Sequence, residues 1–424
     1  IQNLQHFYHN YFRKIKLRFY KMKIISFNSS KSYSIPDLYL NIGHLLDHFM
    51  MLIFAKAAFD AGREFGLSYE EIIVYGTLGV ILFGAAAPLA GWLADKYSRA
   101  ILITIYPFGL SLGAMLAAFS SSTEMLGISL GVVGFFAAIY HPVGIAMITK
   151  RPGKVGLRLG INGVWGNMGV ALAPILTGFL IAYADWRLGF IIPALMCLSF
   201  GISQLFAFIE LDETRPQTPK VKNNKSVSVL TEGWQTVLLC LSIVTLSGGF
   251  IFGSLTFLIP RIFEVNMLQI SNDVAITGLL AGLVYAIASF SQIGTGWLVD
   301  KVPPKFVLSA MGLGQLIFIY IASQSSDYGL LFIMLAAMIF VFGQVPITDV
   351  ILVKYVKDSW RGRVLSIKFM VNLSAGASVL PITSILLKNG YDFSFVLQCL
   401  ALLSVSVIIS GLFLPNKTST LKPI

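Results

Sequence analysis

Gly91-Trp-Leu-Ala-Asp-Lys96 closes an apolar run of membrane-spanning length, and 205 residues later Gly296-Trp-Leu-Val-Asp-Lys301 closes another. The chain is internally duplicated. The same offset of 204 or 205 relates Pro142 to Pro346, Arg158 to Arg363 and Asn167 to Asn372. Four landmarks sharing one offset are the mark of a duplicated membrane protein.

Composition leads to the same class independently. Hydrophobic residues make up 56% of the 424 and charged residues only 12%, too little polar surface for a soluble domain of this size. Lipid must supply the missing solvent. Twelve runs can each supply the roughly 20 residues that a helix needs to cross a hydrocarbon core. The first six fall near 38–59, 71–93, 100–119, 125–149, 159–183 and 187–209; the second six near 234–260, 274–299, 306–325, 328–353, 364–387 and 393–414. The predicted fold is therefore an all-α integral membrane protein with twelve transmembrane helices in two pseudo-symmetric six-helix bundles. Its organisation reads as a basic arm at 1–36, a first bundle at 37–209, a linker at 210–233, a second bundle at 234–414 and a tail at 415–424. The arm is expected to be disordered, with Met22 a plausible initiator.

The net charge of +11 would suggest a nucleic-acid partner in a soluble protein. Position excludes that. Of the 31 Lys and Arg residues, 26 lie in the arm, in alternate loops, in the linker, in the tail or at Lys368, and only Lys56, Arg63, Arg187, Arg261 and Lys388 lie on the other side. By the positive-inside rule both termini are expected in the cytoplasm of a bacterial inner membrane. Cys197, Cys240 and Cys399 sit inside apolar runs without metal-type spacing and are expected to be small core residues.

Gly91-Trp-Leu-Ala-Asp-Lys-Tyr-Ser-Arg99 resembles the signature loop of the major facilitator superfamily of secondary transporters, and the copy at Gly296 resembles its second-half counterpart. The resemblance runs from about residue 37 to 414 and includes Trp186-Arg187 opening the sixth helix. Ser98 and Ala100 depart from the usual glycine and basic residue of that loop. The resemblance implies a conformational latch formed by Gly91, Asp95, Lys96, Arg99, Arg158, Gly296, Asp300, Lys301 and Arg363. In it, Asp95 pairs with the start of the eleventh helix near Trp360 to Arg363, where a helix dipole favours negative charge. Glycine at 91 and 296 would let helices approach closely. The arginine in the fourth helix and the Gly-Pro pair in the fifth that mark drug-proton antiporters are missing. Tyr140-His-Pro-Val-Gly144 is instead loosely similar to fosmidomycin-resistance-type members.

Ionisable groups within a bilayer are functional candidates by default. The first helix carries Asn41, His44, Asp47 and His48, with 44, 48 and Met51 on one face and 47 beside it. His141 on the fourth helix lies at similar depth, and the resemblance implies that these two helices line the central path. Burial and neighbouring charge can bring an Asp and His set into the working pH range, so Asp47, His44, His48 and His141 are the expected proton-coupling residues. Tyr140, Asn167, Gln292, Gln344 and Asn372, with Asn41 and Met51, are the expected substrate-cavity residues. Lys56 with Asp60 reads as a surface ion pair, and Asp349 as a partner of Lys301 or Arg363. His44 and His48 also have helical metal-ligand spacing, which Asp47 and His141 could complete. With no cysteine or carboxylate-rich shell, no resident metal is expected.

The resulting expectation is a monomeric, proton-coupled carrier of a small organic solute working by alternating access in lipid. No enzymatic activity, cofactor or nucleic-acid partner is expected, and no phosphate-binding Gly-rich loop is present for ATP-driven pumping. Efflux of a toxic compound or siderophore, uptake of a metal or metal chelate, and a transport-inactive sensor are the alternatives.

Overall fold

The computed structural model of the chain describes residues 35–149, 155–212, 234–355, 368, 370–372 and 374–414. Among these are twelve helices long and apolar enough to cross a membrane: α1 Pro36–Phe65, α2 Tyr69–Lys96, α3 Arg99–Ala118, α4 Thr123–Thr149, α5 Arg158–Tyr183 and α6 Leu188–Phe206, then α7 Gln235–Asn266, α8 Val274–Val299, α9 Pro304–Ala322, α10 Asp327–Ile351, α11 Met370–Lys388 and α12 Phe393–Phe413. The protein is an all-α integral membrane protein. Helix is the outcome hydrocarbon dictates, because every backbone N–H and C=O must find its partner within the segment.

The ends follow local chemistry. Ser98, Ser122 and Asp392 each accept a backbone N–H in the first turn of α3, α4 and α12, satisfying donors the helix leaves open. Gly66 and Gly390 adopt φ of +69° and +85° just beyond α1 and α11. There Leu67 N donates to Gly62 O and Tyr391 N to Leu386 O, the six-to-one bond of a glycine-terminated helix.

Two helices run further than their apolar runs suggest, α1 to Phe65 and α7 to Asn266. Each extension carries a glutamate with cationic partners, Glu64 with Arg187 and Glu264 with Lys56 and Arg261. The sixth helix continues to Asp212, into the stretch expected as linker. The arm to residue 34, the rest of the linker, Arg363 and the tail lie outside the described residues.

Tyr39–Ile424 form one compact unit, and its packing repeats. In the first six helices α3 packs on α4 and α6, and α2 on α4; in the second six α9 packs on α10 and α12, and α8 on α10. The two sets meet through α5 against α8 and through α2 against α11, pairs that the 205-residue offset interchanges. The copies differ at their prolines. The fourth helix is interrupted between Thr123–Ala137 and Tyr140–Thr149, just before Pro142, which has no N–H to offer the Ala138 carbonyl. Its counterpart α10 stays helical through Pro346.

At the α2–α4 crossing the backbones touch. A Cβ placed on Gly134 would lie 1.9 Å from the carbonyl oxygen of Gly79, and one on Gly79 would lie 2.8 Å from that of Leu130. No rotamer can relieve a clash with main chain, so Gly134→Ala is expected to cost at least about 1–3 kcal/mol. Thermal unfolding of the detergent-solubilised protein should show a lowered midpoint for Gly134→Ala and an unchanged one for Gly160→Ala, whose Cβ meets open space.

Candidate functional site

The middle of α1 and the broken segment of α4 place three imidazoles and a carboxylate together. His44 Nδ1 lies 2.7 Å from the Asn162 carbonyl oxygen. A carbonyl only accepts, so this nitrogen carries the proton, and Nε2 of the neutral ring presents its lone pair to the other side. His48 Nε2 stands there, 3.1 Å away. The His44 ring stacks on Tyr140 at 4.8 Å and meets His141 edge-on at 5.2 Å, while His48 and His141 are 5.4 Å apart.

Asn162 holds this arrangement in place. Its Nδ2 lies 2.9 Å from Asn41 Oδ1, 2.8 Å from Tyr140 Oη and 3.4 Å from the Leu40 carbonyl. Tyr140 Oη donates to the Leu40 carbonyl and Tyr106 Oη to that of Gly43, each at 2.6 Å. Gly166 matters sterically: a Cβ there would come 2.7 Å from the His44 ring. These bonds tie α1, α3, α4 and α5 around one point.

Asp47 is fully buried, and neither carboxylate oxygen has a hydrogen-bond partner among the described residues. His141 Nε2, 3.4 Å from Oδ2, is its ion-pair neighbour. An ionised carboxylate without donors is costly in a dry interior. The group therefore demands a positive companion, whether a proton, an imidazolium or a bound cation.

The other expected cavity residues are dispersed. Met51 is half-buried one turn beyond Asp47, and Asn167 is buried with its amide nitrogen unbonded among the described residues. Gln344 is buried and accepts a 2.6 Å hydrogen bond from Gln315 Nε2, which joins α10 to α9. Asn372 packs against Gly249 of α7, and Gln292 faces Gly163 of α5. Asn162 and Gln315 were absent from the expected set; the signal for each was a lone amide inside an apolar run.

Two expectations about charges, one about cysteine and one about glycine require correction. Lys56 does not form a surface pair with Asp60. Its buried Nζ lies 2.5 Å from Glu264 Oε1 and 3.1 Å from Thr277 Oγ1, because α7 and α8 close against α1 at that depth. Asp349 pairs with Lys368, one helix on, rather than with Lys301. Cys399 is exposed on α12, whereas Cys197 and Cys240 are buried. Gly296 has open space where a Cβ would sit, and Gly91 meets Pro142 only at an ordinary 3.5 Å, so neither glycine serves a close approach in this conformation.

The two repeated loops stand alike. Lys96 Nζ sits 4.7 Å over Trp92 and Lys301 Nζ 3.9 Å over Trp297. Asp95, 71% exposed, pairs with Arg99 of its own loop at 2.6 Å. Arg158 is half-buried at the start of α5, and the Asp300 side chain lies outside the described residues, as does the expected partner of Asp95.

At the end remote from these loops the two sets of helices are pinned together. Besides Lys56 and Glu264, Arg261 bonds Glu264 at 2.9 Å and lies 3.5 Å over the Phe59 ring, and Ser384 Oγ donates to the Glu70 carbonyl at 2.6 Å. Glu264 escaped notice because the apolar run of α7 ends before it.

A duplicated bundle of twelve membrane helices, with a polar cluster at mid-depth and one end clamped, is the architecture of a membrane carrier. The chain belongs to the major facilitator superfamily, whose family model matches residues 40–381. It is 27% identical over 179 residues to a multidrug resistance protein B homolog of Mycobacterium tuberculosis, covering 41% of this chain and 32% of that protein. It is 24% identical over 293 residues to the nitrate/nitrite transporter NrtP of Nostoc punctiforme, covering 65% of this chain and 56% of that one. The chain thus spans about a third of the length of the first of these curated relatives and just over half of the second. Its fold matches the inward-open xylose transporter XylE of E. coli with a TM-score of 0.68 at 16% identity, covering 91% of this chain and 97% of that one.

The clamp should respond unequally to its two halves. Glu264→Gln leaves the Lys56 ammonium buried without its carboxylate, a loss of roughly 3–5 kcal/mol to this conformation, while Lys56→Met leaves Glu264 still held by Arg261. Spin labels at Phe119 and Tyr328, exposed at this end on α3 and α10, should separate in Glu264→Gln and separate less in Lys56→Met. Equal distances in both variants and the wild type would show that the pair does not hold the end closed.

Proposed function

We propose that the chain is a proton-coupled secondary active transporter of a small organic solute, working as a monomer in a bacterial inner membrane by rocker-switch alternating access. The first six helices, within 37–209, rock against the last six, within 234–414, about the central cluster. The observation that carries this reading is Asp47: a carboxylate buried in α1, without a hydrogen-bond donor among the described residues, 3.4 Å from His141 of the three-histidine group. The group must be neutralised whenever it is shielded from water, and that requirement can link proton binding to conformational change.

The distribution of Lys and Arg supports a cytoplasmic location for the repeated loops and both termini. On that orientation the clamped end faces outward and the conformation is inward-facing, as in the inward-open neighbour. Asp95, bonded to Arg99 and largely exposed, is then an open latch that meets the start of α11 when the cytoplasmic end closes. A small solute is supported by relatives named for drug resistance and for nitrate and nitrite, and its organic character by the first of these.

Asp95→Asn removes the charge that faces a helix amino terminus in the closed latch. Labels at Tyr97 and Phe306 should report a larger inward-open population together with slower transport. Unchanged distances and rates would remove the latch from the mechanism.

Asp47→Asn should uncouple the carrier without unfolding it. In proteoliposomes the variant should lose accumulation driven by a pH gradient while retaining solute exchange at equal pH, where no net proton movement is needed. His141→Gln should move the pH optimum instead, as befits a neighbour of the carrier. Concentrative uptake by Asp47→Asn with normal proton stoichiometry would overturn the assignment.

A further inference from the structure

We propose that the cluster of side chains between α1 and α4 is a binding site for a single divalent transition-metal ion, held by His44, His48 and His141 with Asp47 beside them, and that such an ion is a cargo this carrier moves. The inference rests on the transport reading and adds a metal ion to the organic solute as a further cargo.

Ligand geometry comes first. Each of the three histidines offers a ring nitrogen within 4.8 Å of the others, and the Nε2 atoms of His44 and His48 are 3.1 Å apart. Tetrahedral Zn–N bonds of about 2.0–2.1 Å place their nitrogens roughly 3.3 Å apart. Two of the ligands therefore already stand at nearly the right separation, and a rotation of the His141 ring brings in the third. Asp47 Oδ2 stands 3.4 Å from His141 Nε2, beside the three-nitrogen group, and has no hydrogen bond among the described residues to lose.

The surrounding contacts match what a metal site requires. Ligating histidines donate their other ring nitrogen to a carbonyl or carboxylate, which sets the tautomer and aims the lone pair. His44 does so, with Nδ1 on the Asn162 carbonyl at 2.7 Å and Asn162 tied in turn to Asn41 and Tyr140. Gly166 leaves the space the His44 ring occupies, and Tyr140 stacks on its face.

Charge and softness select the class of ion. Three imidazole nitrogens gather within 4.8 Å of one another, and the Asp47 carboxylate lacks a donor among the described residues. One cation engages both, taking the place of the proton that His48 Nε2 shares with His44 Nε2. Imidazole with carboxylate and no thiolate suits first-row divalent ions such as Zn²⁺ or Co²⁺, rather than Cu⁺ or the harder Ca²⁺ and Mg²⁺. One carboxylate reduces the net charge of the occupied site to +1, easing passage through a low-dielectric interior.

The test begins with the purified full-length protein in detergent, titrated with Co²⁺ and followed by its visible absorption. The expected result is saturable one-to-one binding with the intense bands of tetrahedral cobalt, displaced by Zn²⁺. His48→Ala and His141→Ala should each weaken binding at least as strongly as loss of an outer-shell partner, about 10-fold or more, at unchanged thermal stability. Should either variant fail to fold, X-ray absorption at zinc bound to the wild type decides the ligands: imidazole and oxygen without sulfur are expected. Absence of saturable binding, a sulfur ligand, or binding indifferent to both substitutions would overturn the site. Zinc entry into proteoliposomes holding a zinc-sensing dye, dependent on His48, tests the cargo, and binding without entry would overturn that part. The transport reading fails separately: if metal does not bind while Asp47→Asn still uncouples solute movement from the pH gradient, the metal inference falls and the carrier stands.

Discussion

Lipid neither donates nor accepts a hydrogen bond, and that constraint governs where every polar side chain of this protein sits. Backbone groups are satisfied inside the helices, so the question passes to side chains that cannot bond within their own segment. Most are answered by a carbonyl on a neighbouring helix: Tyr106 by Gly43, Tyr140 by Leu40, Tyr285 by Leu255 and Thr256, His44 by Asn162. Such bonds fix helix positions without introducing charge. Asp47 stands out as a fully buried carboxylate of which neither oxygen has a hydrogen-bond partner among the described residues.

The repeat is faithful where packing is concerned and broken where chemistry is concerned. Helices α2, α3, α4 and α6 keep the same neighbours as α8, α9, α10 and α12. Tyr140, however, has Gln344 as its counterpart, and Gln344 is bonded to Gln315 rather than to a neighbouring main chain. The fourth helix breaks before Pro142 while α10 does not break at Pro346, so only the first copy presents His141 from an interrupted helix. Among the described residues the cluster of three histidines with Asp47 therefore belongs to the first copy alone.

Much of this was legible in the sequence, for physical reasons that differ by feature. The twelve spans, and the equivalence of Gly91 to Gly296, follow from hydropathy and offset, both of which are local. The grouping of Asn41, His44, Asp47, His48 and His141 followed from helical spacing and equal depth. Partner identity did not follow. Lys56 and Asp60 look complete as an i,i+4 pair, and only the approach of α7 reveals Glu264 as the partner of Lys56. Asn162 was likewise hidden, since a lone amide in an apolar run carries no indication of which helix it will face. Gln344 and Asn372 were read as cavity residues on depth alone, and depth does not specify direction around a helix.

Helix α1 joins the two sites that matter most. Asp47 and Lys56 lie nine residues apart on one uninterrupted helix, about 13 Å along its axis. The helix contains no proline or break between them, so a tilt of α1 displaces both together. A ligand that draws α4 toward α1 at the central cluster biases the same rigid element that anchors the Lys56–Glu264 clamp. Such coupling needs no wire between sites; it needs only that the two conformations differ in how well they satisfy each charge. With this end clamped, Lys56 is paired and buried. When that end opens, water can solvate Lys56 and Glu264 separately, and the stabilisation lost at the clamp must be offset elsewhere. Asp47 is the group on α1 whose two carboxylate oxygens both lack a hydrogen-bond partner among the described residues, and on the proposed reading its neutralisation sets the balance between the two states.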